Sequence, residues 1–194
     1  MTDSRHCAVR YWAIPIAMAA IAVLLQAAGG AEAWRLDRGL ALAEPWRLAS
    51  GQLVHLGWTH MLMNLIGFVI VWALFGRELQ GREWVAAILA CGTGVSLGLL
   101  GFSPDLDWYV GLSGILHGLL AAVVLARIFR QPSALTTLVL IGLAVKLAWE
   151  QFAGGEAGTA HLIGGTVIVD SHLYGALAGA AWACFLVVTR RRAA

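Results

Sequence analysis

Five side chains in this sequence are of the types that acyl-transfer chemistry uses. Ser113 lies between Gly111 and Gly114 in the stretch WYVGLSGILHGLL, and His117 follows it one helical turn later on the same face. His60 and Asn64 share a helix face at i and i+4, and His172 sits in a third apolar segment. A serine hydroxyl is a weak nucleophile near neutral pH and needs a base within hydrogen-bond reach, a task that suits the histidine pKa. The tetrahedral oxyanion then needs donors, which the side-chain N–H groups of His60 and Asn64 and the Ser113 backbone N–H, near a helix start, can supply. Taken singly, each residue has a plain structural alternative. A serine in an apolar helix often bonds the carbonyl one turn earlier, and His60 and Asn64 can act as interhelical glue. Their joint presence favours chemistry.

The elements that must position these groups are membrane helices. The chain has 194 residues, 60% of them hydrophobic and 12% charged, with a mean hydropathy of +0.78. A soluble core cannot absorb that apolar surplus, so the chain reads as a single all-α membrane domain over residues 1–194. The net charge of +2 is too small to argue for nucleic acid. Cys7, Cys91 and Cys184 show no metal-ligand or disulfide spacing and read as packing residues, and no cofactor or metal is expected. Six apolar segments are long enough to span, over residues 11–28, 58–75, 84–100, 110–129, 134–151 and 171–189. The first competes with a signal peptide, since Arg5 and Arg10 precede it and Ala31-Glu32-Ala33 resembles a cleavage site; its length favours a retained helix.

If six spans alternate, Arg5, Arg10, Arg77, Arg82, Arg127, Arg130, Arg190, Arg191 and Arg192 fall on one side, and only Arg35, Arg38 and Arg47 fall between spans on the other. The positive-inside rule then places both termini in the cytoplasm. The second, fourth and sixth helices begin on the outer side, and each carries its polar residues near that beginning, just below an interface marked by Trp58, Trp108 and Tyr109. Gly175 and Gly179 follow His172 along one stripe, and Gly114 and Gly118 do the same on the serine helix. Two such small-xxx-small surfaces allow close approach, which brings His172 toward Ser113.

GLSG at the head of the fourth helix, HxxxN from His60 to Asn64 and HxxGxxxG from His172 together resemble the rhomboid intramembrane serine proteases. Trp46-Arg47 and the turn Phe75-Gly76-Arg77-Glu78-Leu79 are also similar to that family's pattern, so the likeness runs from about Pro45 to Gly179. It implies a six-helix bundle whose Ser–His dyad opens to the outer side and cleaves single-pass membrane proteins near the membrane boundary. By position, Ser113 would be the nucleophile and His172 the general base, and His60, Asn64 and the Ser113 amide would form the oxyanion hole. Gly111, Gly114, His117, Gly175 and Gly179 would support them. Many rhomboids carry a tyrosine four residues after the serine, where this chain has His117. With the short length and LSGILHG, that resembles the rhombosortase branch, whose substrates carry a C-terminal Gly-Gly motif, a membrane helix and a basic tail. The location implied is the bacterial inner membrane.

Other polar residues read more plainly. Asp170, two residues from His172 on a helix, points away from it and serves as an interfacial charge. Lys146 and Glu150, at i and i+4 near the outer end of the fifth helix, read as an ion pair rather than a substrate contact. His55 and His161 lie in outer segments as solvated or structural residues, and His6 carries no signal. The resemblance implies that the fifth helix and the following loop gate substrate entry, with Gly154-Gly155 and Gly164-Gly165 as mobile points of a lid. Two rival functions are a small transporter, which would distribute its polar residues across the membrane depth, and a catalytically inactive client-binding relative, which would lose the serine or its base.

Overall fold

The computed structural model describes residues 2–192, with side chains from Tyr11 to Arg191. The side chains of Arg5, His6, Cys7, Arg10 and Arg192 lie outside the described residues. In chain order the elements are α1 (Thr2–Ala27), α2 (Gly30–Trp34), β1 (Leu36–Asp37), α3 (Arg47–Ser50), α4 (Trp58–Phe75), α5 (Gly81–Phe102), β2 (Trp108–Tyr109), α6 (Ser113–Arg130), α7 (Ala134–Ala153), α8 (Ala157–Ile163) and α9 (Val169–Arg192). The protein is an all-α, multi-pass membrane bundle. Six helices correspond to the six expected spans, and among the described residues α4, α5, α6, α7 and α9 are the ones long and apolar enough to cross a bilayer. The described apolar part of α1, Tyr11–Ala27, is shorter.

Periodicity explains how α4 sits. Its buried residues His60, Asn64, Phe68, Val71, Trp72 and Phe75 form one stripe, while Leu62, Ile66, Ile70 and Leu74 on the opposite face are exposed, as a lipid-facing surface requires. Helix α6 is the centre of the bundle. It packs on α4, α5, α7 and α9, most extensively on α9, and Ala121, Ala122, Val123 and Val124 are buried on successive faces. A helix hydrophobic all round belongs in such an interior.

The expected stripe of small residues is the α6–α9 contact. A Cβ on Gly175 would overlap the Gly114 carbonyl oxygen, and one on Gly179 would overlap the Gly118 carbonyl oxygen. Cys91 is buried beside Gly118 and fits the packing reading, whereas Cys184 is exposed on the bundle's periphery and does not.

The two ends of the bundle differ in how charge is held. At one end Glu78 pairs with Arg127 and Arg130, and Glu83 with Arg190 at 2.6 Å, tying the α4–α5 turn to the end of α6 and the start of α5 to the end of α9. At the other end the segment between α1 and α4 is packed rather than looped out. β1 pairs antiparallel with β2, Leu36 opposite Tyr109. The Arg38 guanidinium donates to the carbonyls of Leu99, Leu100, Ser103 and Leu106 at 2.7–2.9 Å, closing the C-terminal end of α5 and the turn after it. Gln52 reaches Ser96 on α5 at 2.9 Å. Asp170 bonds Ser103, away from His172 as expected.

Candidate active site

Helix α6 cannot extend back past Leu112, because the residue before that is Gly111. Gly111 adopts φ +126°, a conformation that glycine alone adopts readily. Its N–H donates to the Gly51 carbonyl at 3.0 Å, and its own carbonyl accepts from the Tyr109 hydroxyl at 2.6 Å. Burial pushes the Tyr109 phenol up from its ordinary value, so the group remains a hydrogen donor. A side chain at Gly111 would also press on the His60 ring, 3.0 Å from Cε1. Ser113 thus occupies the first turn of α6, whose backbone N–H groups have no intrahelical acceptor.

The close approach of α6 and α9 brings His172 to the serine: its Nε2 lies 3.0 Å from the Ser113 hydroxyl oxygen. The other ring nitrogen, Nδ1, donates to Glu150 Oε2 at 2.9 Å, and Glu150 Oε1 accepts from Lys146 Nζ at 2.5 Å. The expected Lys146–Glu150 ion pair is therefore present, but reading Glu150 through that pair alone missed its second oxygen. The available signal was depth: Glu150 lies near the outer end of α7, at the level of His172 near the start of α9. His117 stacks on His172, with ring centroids 4.0 Å apart and planes at 18°. Its Nδ1–H is held by the Ser113 carbonyl at 2.7 Å.

The oxyanion candidates lie across the serine on α4. The Leu56 N–H donates to His60 Nδ1 at 3.4 Å, which leaves Nε2 as the protonated, donating nitrogen. Asn64 donates one amide hydrogen to the His60 carbonyl at 3.1 Å, so a single hydrogen is left for a substrate. Behind them His55 is fully buried, edge-on to His60 with centroids 4.9 Å apart. Desolvation, with the adjacent His60 second, lowers its pKa to about 3, which makes it a neutral structural residue. His161 is exposed.

Two cavities meet at Ser113. One of about 470 Å³ is lined by Leu56, His60, Asp105, Trp108, Ile163 and Gly165, among others. A second, of about 260 Å³, is lined by Met63, Asn64, His117, Lys146 and His172. Ile163 and Val167, from α8 and the turn after it, line both, so the last outer segment is a cover over the serine. Gly154 and Gly164 flank α8 with positive φ.

Among the described residues, His117, Glu150 and His172 form the one group with metal-ligand character, their ligand atoms within 4.8 Å of one another. An ion there would have to displace the hydrogen bonds that already engage both nitrogens of His172.

Residues 42–189 match the family model described as the Rhomboid domain, which covers most of the chain. No curated protein matches the sequence.

Proposed function

The chain belongs to the rhomboid family, the intramembrane serine proteases, and from that premise we propose that it is an active endopeptidase that cuts single-pass membrane proteins near the bilayer surface. The observation that carries this reading is the Ser113–His172 hydrogen bond at 3.0 Å, at the meeting point of two cavities. Ser113 Oγ attacks the peptide carbonyl carbon while His172 Nε2 takes its proton. The oxyanion is held by the Ser113 N–H, His60 Nε2–H and the remaining Asn64 hydrogen. His172 then returns the proton to the leaving amine, and water hydrolyses the acyl-enzyme by the same route. No cofactor is needed.

The substrates proposed are proteins with a C-terminal Gly-Gly motif, a membrane helix and a basic tail. This finer reading is supported by His117, which stands where many rhomboids carry tyrosine and stacks on the base. The location is the bacterial inner membrane, with both termini cytoplasmic and Ser113 facing the periplasm. Support comes from the Arg127, Arg130 and Arg190 end of the bundle, opposite the site.

Labelling with a serine-directed fluorophosphonate in detergent tests the activity. Wild-type protein should label, and Ser113→Ala and His172→Ala should not. Label that survives Ser113→Ala, or none in a wild type that still cuts a Gly-Gly-tailed client, would sink the assignment.

A further inference from the structure

Glu150 is a buried carboxylate that a serine, a base and oxyanion donors leave without a role. One of its oxygens holds His172 Nδ1 at 2.9 Å and the other holds Lys146 Nζ at 2.5 Å. With Ser113 Oγ 3.0 Å from His172 Nε2, four side chains form an unbroken line, Lys146–Glu150–His172–Ser113. The Glu150 side chain is 11% exposed and that of Lys146 is 47%, so the carboxylate faces the site and the ammonium reaches outward.

Resting on the serine-hydrolase reading above, we propose that Glu150 is a positioning residue for the base. It fixes His172 in the tautomer that can accept the serine proton, and Lys146 fixes which carboxylate oxygen does so. A neutral imidazole carries one N–H, and a carboxylate can only accept. Glu150 therefore requires the hydrogen to be on Nδ1, which leaves the Nε2 lone pair toward the Ser113 hydroxyl. The alternative tautomer, with hydrogen on Nε2, cannot take that proton. When His172 becomes an imidazolium during attack, Glu150 is the anion beside it, while His117 stacks on its ring and Lys146 lies one residue further along the line.

Lys146 makes the arrangement separable from a plain ion pair. In Glu150→Gln the lysine ammonium competes for the amide oxygen and turns the amide NH₂ toward His172, which imposes the wrong tautomer. Removing the lysine as well frees the glutamine to present its oxygen. The rate of fluorophosphonate labelling should therefore fall by at least about 10² in Glu150→Gln, toward the loss of about 10⁴ seen when the orienting acid of a hydrolase triad becomes an amide. It should fall by less than about tenfold in Lys146→Met and recover at least tenfold in the double variant relative to Glu150→Gln. With a cleavable client, kcat should carry the Glu150→Gln loss and KM should hardly move.

Glu150→Asp and Glu150→Ala provide a second pair should the glutamine variant fail to fold: the aspartate keeps an acceptor and should label at least tenfold faster than the alanine. Labelling of Glu150→Gln within threefold of wild type, a loss that Lys146→Met deepens, or equal loss in the aspartate and alanine variants would overturn the inference. A wild type that does not label at all would overturn the hydrolase reading, and this inference with it. Wild-type label lost in Ser113→Ala but indifferent to Glu150 would overturn only the inference.

Discussion

Gly175 packs directly on the carbonyl oxygen of Gly114, with no room between them for a methyl group. One turn further, Gly179 meets Gly118 in the same way. Gly175→Ala should force α9 away from α6 and move His172 from Ser113. A displacement near 1 Å at a catalytic pair costs about 10²-fold in rate, against a stability loss of about 1–3 kcal/mol for overpacking. Labelling rate and thermal unfolding in detergent, measured on the same preparation, should show that disproportion.

His60 and Asn64 should not be equivalent. His60 presents Nε2–H with its other nitrogen already engaged, whereas half of the Asn64 amide's donor capacity is spent on its own helix. His60→Ala should lower kcat on a client by about 10² to 10³, the usual cost of one lost oxyanion donor. Asn64→Ala should cost less, and steady-state kinetics of the two variants give the comparison.

Arg38 should matter for stability rather than chemistry. Its guanidinium bonds four carbonyls at the end of α5 and in the turn after it, and Arg38→Met would remove a charged donor from each, with only Leu99 and Ser103 keeping a backbone N–H. A loss of about 2 kcal/mol or more is expected, read as a lower thermal midpoint in detergent. Protein that remains folded should still label at Ser113.

His55 sets an acid limit on the fold. Its pKa is about 3 in the folded chain against an ordinary 6.5, so below pH 6.5 the unfolded state binds the extra proton. Stability supplied by the neutral ring is complete above 6.5 and is lost as pH falls toward 3. By pH 5 the loss amounts to about 2 kcal/mol. His55→Phe should flatten the thermal midpoint across that window while leaving any contribution of other groups in place.

The residues easiest to read in the sequence were those whose polarity stands alone in apolar surroundings. Ser113, His172, His60 and Asn64 were visible for that reason, and the glycine stripe beneath His172 foretold the α6–α9 contact. Glu150 was harder. Its nearest charged neighbour in sequence is Lys146, and that local pair concealed a bond to a helix 22 residues away. Arg38 was hidden for the same cause, since its four acceptors lie more than 60 residues further on and carry no side-chain signature. The short helices α2, α3 and α8 fall in segments without an apolar period long enough to announce them, and the Leu36–Tyr109 pairing joins residues that only the finished bundle brings together.

Helix α7 is the least embedded of the five long apolar helices, with 17% of its span buried against 33–50% for the other four. Glu150 rides on it. The carboxylate that orients the base is thus carried by the helix with the least packing behind it, so the grip on the imidazole is only as firm as the seating of α7.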